Sequence, residues 1–189
     1  MAHMANTRGG DSGLRTAQET PAWAIKHGVI GGIVAGVVFA IAEMVGGSVI
    51  DGGPLFMPLK AFASIPIGKE PPMIAWATAV PVGVISHMVL SIIYGVIFAM
   101  IVAYLPMLRV SPVLIVVAAS LYGFLLWLIN FFVLAGAIGR PWFKMAPKGE
   151  QFVYHTLFYG AVLGLYLVAV MRRDRSVTPA VREGTMQPS

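Results

Sequence analysis

The stretch Gly28–Ile50, GVIGGIVAGVVFAIAEMVGGSVI, decides the fold. Glu43 is its only ionisable side chain. At about 1.5 Å per residue such a run crosses a hydrocarbon core of about 30 Å as one helix. Three further runs have the same character: Pro81–Leu105, Pro112–Ala137 and Phe152–Met171. Within them the only ionisable side chains are His87 and His155. The reading is an all-α, polytopic membrane protein, a bundle of four transmembrane helices.

Composition agrees. The chain has 189 residues, of which 58% are hydrophobic and 11% charged, with a mean hydropathy of +0.81. Soluble domains carry about a quarter charged residues. A β-barrel would show alternating segments of about ten residues, and none occur. With no cysteine, disulfides, thiolate metal sites, iron–sulfur clusters and covalent c-type haem are excluded. No short apolar region with a cleavage site precedes the first run, so it is expected to be retained as a helix. The net charge of +5 comes from residues flanking the runs, without interleaved aromatics. Lipid headgroups are therefore the expected partners, and nucleic acid is not.

Four spans put both chain ends and the 106–111 turn on one face. That face holds Arg8, Arg15, Lys26, Arg109, Arg172, Arg173, Arg175 and Arg182. The other face holds Lys60, Lys69, Arg140, Lys144 and Lys148. The positive-inside rule then predicts cytoplasmic termini. Trp23, Trp76, Tyr104 and Trp142 fall near span ends, where aromatic rings favour the interface. Residues 1–22 and the basic tail 172–189 are expected to be disordered, leaving a transmembrane domain over 23–171. His27, beside Lys26, reads as a solvated interface residue.

Two connections lie on the second face. Asp51-Gly52-Gly53-Pro54 stops the first helix. Leu55, Phe56, Leu59, Phe62 and Ala63 then recur at helical spacing, with Lys60 set apart, which predicts a short interfacial or re-entrant helix. Met73–Val80 would extend the second span beyond a kink at Pro81. The second connection, Gly139–Glu150, has a similar glycine, proline and aromatic content. In each half the following span carries a histidine near its start, a pattern consistent with a duplicated helical hairpin.

Helix arithmetic brings the polar residues together. Glu43, Asn130, His87 and His155 lie roughly 10, 10, 9 and 6 Å below the outer face, one from each span. Gly28, Gly32, Gly36, Ala40, Glu43 and Gly47 form a packing stripe on the first span. Gly83, His87, Ser91 and Tyr94 form a second, and Ser120, Gly123, Trp127 and Asn130 a third. On the fourth span His155 and Tyr159 align, whereas Gly160 and Gly164 point away, towards another helix or another subunit.

The plainest account is that these groups hydrogen-bond one another and fix which helices meet, at about 0.6 kcal/mol per pair. Three functional readings compete with it. Glu43 with the two histidines makes a protonatable site open to the outer face. His87 and His155 on facing helices make candidate axial ligands for a b-type haem. Histidines with Glu43 make a metal site, where nearby methionines such as Met44 and Met88 would suit copper(I). Copper is the weaker match, because adjacent helical residues point about 100° apart and methionine is a common apolar filler. Nothing marks an enzyme: Ser86, His87 and Ser91 lack an oxyanion-forming glycine turn.

Gly31-Gly32-Ile33-Val34-Ala35-Gly36 leading to Glu43, Pro58-Leu59-Lys60, His87…Ser91…Tyr94-Gly95, Pro141-Trp142 and Glu150 with His155 together resemble small bacterial four-span inner-membrane proteins, loosely YagU-like. The likeness spans roughly residues 28–170. It implies a four-helix inner-membrane protein without an assigned activity and supplies no catalytic residue. The expectation is a non-catalytic integral membrane protein built round the polar layer. The alternative is an accessory subunit, packed through glycine faces against a larger respiratory or transport complex or against copies of itself.

Overall fold

Thr20 starts the first helix: its Oγ1 accepts from the Trp23 amide at 3.2 Å, and Pro21 fills the first helical position, where a missing N–H costs nothing. A computed structural model describes residues 20–184, with side chains as far as Asp174. Five helices follow one another: α1 (Pro21–Val49), α2 (Met57–Ile67), α3 (Trp76–Tyr104), α4 (Pro112–Ala137) and α5 (from Lys148). Among the described residues there is no strand. Helices α1, α3, α4 and α5 are long and apolar enough to cross a bilayer, and they turn large apolar side chains outward, Ile85, Leu121 and Leu165 among them. This is a membrane protein with an all-α bundle fold.

Two helices are not α-helical throughout. Helix α4 runs as Pro112–Leu128, then as a π-helical Ile129–Leu134, then Ala135–Ala137. Helix α5 begins as Lys148–Val153, widens into a π-helical Tyr154–Ala161 and continues as Val162–Gly184. Single π turns are frequent at functional sites. These two contain Asn130 and His155.

The α5 backbone corrects one expectation. Residues 172–184 continue the helix instead of leaving it, because an established helix extends without a new nucleation cost. Likewise Pro21 and Ala22 are helical, and the rest of the expected disordered N-terminus, residues 1–19, lies outside the described residues, as do 185–189.

The helices associate as two pairs, α1 with α3 and α4 with α5, whereas α3 and α4 hardly touch although consecutive in the chain. Lipid tails are as apolar as leucine, so helix pairing in a membrane depends on close packing of small residues. A Cβ on Gly32 would stand 2.5 Å from the Ser91 carbonyl oxygen, and one on Gly36 2.6 Å from Ser91 Oγ. In the second pair a Cβ on Gly160 would meet the Ala119 carbonyl oxygen at 2.5 Å, and one on Gly164 the Ala119 Cβ at 2.8 Å. Gly160 and Gly164 thus serve α4 of the same chain, not another subunit: the widened turn at Tyr154–Ala161 rotates them towards it. A Cβ on Gly47 would meet nothing within 4 Å. Its neighbour Gly46 does the packing instead, leaving room for the Tyr154 hydroxyl.

Short helix α2 is more than a surface feature. Leu59, Phe62, Ala63 and Ser64 are buried against the bundle, and Lys60 is buried with its ammonium 4.3 Å over the Trp76 ring. The cation is therefore not set apart: its stem is covered and its head rests on an aromatic face. Gly83 lets the α2 backbone at Leu59 lie directly on α3. The far end of α2 is held from the second connection. Gly68 takes φ 78° as its left-handed cap, Arg140 Nε donates to the Ser64 and Ile65 carbonyls at 3.2 and 3.0 Å, and Trp142 Nε1 donates to Ser64 Oγ at 3.0 Å.

At the end carrying the termini, Trp23 Nε1 donates to Asp174 Oδ2 at 2.9 Å, joining the first and last spans. His27 is buried here, not solvated: its ring lies 4.9 Å from that of Trp23, and Nδ1 is 3.2 Å from the Tyr166 hydroxyl. A lysine neighbour says little about the environment of the next helical position, which faces about 100° away.

Candidate functional site

A cavity of about 240 Å³ lies between the two helix pairs near the loop end. Glu43 from α1, His87 from α3, Asn130 from α4 and His155 from α5 all line it. Ser91 and Gln151 also line it, and the rest of the wall is apolar or aromatic, notably Phe39, Phe62, Phe131 and Phe143.

Each polar residue is oriented by a specific contact. His87 Nε2 is 2.9 Å from the Gly36 carbonyl oxygen, and His155 Nδ1 is 2.8 Å from that of Gln151. A carbonyl only accepts, so these nitrogens carry the protons, and in the neutral rings His87 Nδ1 and His155 Nε2 are left as acceptors. Tyr94 donates its hydroxyl to Asn130 Oδ1 at 2.9 Å, which leaves the Asn130 amide hydrogens for other partners. This bond and the one from the Tyr122 hydroxyl to the Tyr94 carbonyl, 3.1 Å, bridge the sparse α3–α4 seam. Tyr159 closes the inner side by donating to the Ser91 carbonyl at 2.6 Å.

Glu43 has a buried side-chain atom left without a partner. Gln151 Nε2 donates to its Oε1 at 2.6 Å, whereas Oε2 is sealed from solvent with no hydrogen-bond partner. A buried carboxyl oxygen without a partner carries a large desolvation cost. Glu43, Ala61 and Gln151 also line a second cavity of about 250 Å³ on the loop side, together with Asp51, Glu150 and Tyr154. The Glu43–Gln151 bond therefore stands between an acidic vestibule and the inner cavity.

Sequence arithmetic places the four polar groups but misses the residue that joins them. Gln151 is one helical turn before His155 and shares its face, a signal available in the sequence. Phe39 also escapes notice, as one aromatic among many, yet its ring lies 5.4 Å from the His87 ring and 4.8 Å from that of His155. The phenyl group fills space against both imidazoles that a porphyrin would need. Trp127, expected on one stripe with Asn130, instead packs with Phe124, Phe132 and Phe152, because the π-helical turn begins between them. Among the described residues no three His, Asp or Glu side chains gather closely enough to hold a metal ion. The metal reading of Glu43 with both histidines is corrected accordingly, since Gln151 and Phe39 occupy the intervening positions.

Comparison with protein families, curated proteins and solved structures gives no match. The site's own chemistry carries the functional reading.

Proposed function

We propose that this chain is a non-catalytic multi-pass protein of the bacterial inner membrane, its termini cytoplasmic, that handles protons at the Glu43 layer. The observation that supports the reading is the position of Glu43. One carboxyl oxygen is held by Gln151 and the other is unpartnered, in a side chain that lines both the loop-side vestibule and the inner cavity. An intramembrane carboxyl is costly and marks a proton or ion path more often than a packing contact. The acceptor nitrogens of His87 and His155 give a proton somewhere to go beyond it. Asp51 and Glu150 at the vestibule draw protons from the outer side, and the basic residues near the terminal face set the orientation. A b-type haem is the weaker use of the two imidazoles, because Phe39 lies against both rings.

The experiment is proton uptake into the purified protein reconstituted in liposomes, followed with an entrapped pH-sensitive dye. Uptake driven by an imposed gradient is expected in the parent chain and lost in Glu43→Gln, with circular dichroism melts unchanged. Equal uptake in parent and Glu43→Gln overturns the reading. The absorption spectrum of the same preparation is expected to lack a Soret band.

A further inference from the structure

We infer that the inner cavity is a binding site for a neutral, lipid-soluble molecule with a flat hydroxylated ring, a quinol on a hydrocarbon tail. The inference uses the same cavity as the proton reading but does not require proton movement through it.

The mouth comes first. Leu134 of α4 and Ile138, which caps that helix, line the cavity yet are 39% and 46% exposed. Across the sparse α3–α4 seam the facing wall is Ile65 of α2 and Leu90 of α3. The cavity thus reaches the lipid-facing surface through apolar side chains. A ligand entering there comes from the bilayer and can leave its tail in it.

The closed end limits what the head can be. No lysine or arginine lines the cavity, so a phosphate headgroup would be buried without a counter-charge. No three-ligand metal cluster exists among the described residues, so a bare cation is not matched. A plain acyl chain would leave two imidazole nitrogens and the Asn130 amide unpaired. The polar groups open to a ligand include acceptors at His87 Nδ1 and His155 Nε2 and donors at Asn130 Nδ2. That is the complement of a hydroxyl, which donates to an imidazole and accepts from an amide. Phe39, Phe62 and Phe131 meet the two imidazoles at ring-centroid distances of 4.2–5.6 Å. The walls around the polar set are therefore themselves aromatic, and a flat ring packs against them better than a branched or saturated head.

The test uses the full chain in nanodiscs, with decylubiquinol as the probe and quenching of intrinsic tryptophan fluorescence as the readout. Saturable quenching is expected. Asn130→Leu and His155→Phe should each weaken it about tenfold, one hydrogen bond's worth. Leu134→Trp, on an exposed mouth residue whose change leaves the core alone, should abolish it. Three outcomes overturn the inference: quenching that grows linearly as simple partitioning does, saturable quenching unmoved by Asn130→Leu and Leu134→Trp, or equal competition by decanol, which marks an acyl-chain site. Proton uptake in quinol-free liposomes separates the two proposals. Saturable binding without uptake sinks only the proton reading, and uptake without saturable binding sinks only this one.

Discussion

The two ends of the bundle are built differently. In the terminal half Phe98, Val102, Ile115, Leu163, Leu167 and Met171 are fully buried against one another, and Trp23 with Asp174 joins the first and last spans. In the loop half the four helices surround one cavity, lined by Glu43, His87, Asn130 and His155, and α1, α2 and α5 border a second. Both halves expose large apolar side chains, Ile25, Val113 and Leu165 in one and Val45, Ile85 and Val133 in the other, so a lipid-facing exterior does not distinguish them. The difference teaches that this chain spends its packing at one end and leaves the other end open.

That contrast can be broken by mutation. Leu163→Ala removes a side chain with no exposure and should cost about 2–5 kcal/mol, read by unfolding in mixed micelles, because the surrounding core cannot collapse. Gly32→Leu drives a side chain into the α3 backbone and is expected to cost about 3 kcal/mol by the same measurement. Trp23→Phe deletes the bond to Asp174 while keeping the ring, for an expected loss of about 1.5 kcal/mol. Leu90→Ala, beside an existing void, should cost about 1 kcal/mol or less, since few packed neighbours are lost. If Leu90→Ala proves as damaging as Leu163→Ala, the loop half is packed as tightly as the terminal half and the contrast fails.

Much of this was legible from residues alone. Four apolar runs name the membrane class, and the spacing of Leu59, Phe62 and Ala63 indicates α2, whereas Leu55 and Phe56 precede it and stay exposed. Counting 1.5 Å per residue brings Glu43, His87, Asn130 and His155 to one level, where the structure gives them a common cavity. Orientation was less accessible. A fixed 100° per residue cannot anticipate π-helical turns at Ile129–Leu134 and Tyr154–Ala161: Trp127 faces elsewhere than the wheel predicts, and of the two destinations open to Gly160 and Gly164 the structure takes the neighbouring helix α4. Contacts between distant segments were also hidden. Arg140 reads as one more loop cation until α2 supplies the carbonyls it binds, and His27 reads as solvated until Tyr166 covers it.

The widened stretch of α5 also determines how the two ends communicate. A π turn holds more residues per turn than an α turn, so the stretch Tyr154–Ala161 takes up about one residue without advancing the helix. Were the same residues wound as ordinary α-helix, everything beyond them would swing by about 100° relative to His155. Tyr166 would leave His27, Asp174 would leave Trp23, and the cavity and the terminal latch could no longer be satisfied by one helix. The one wide turn is what keeps both ends of the last span in register.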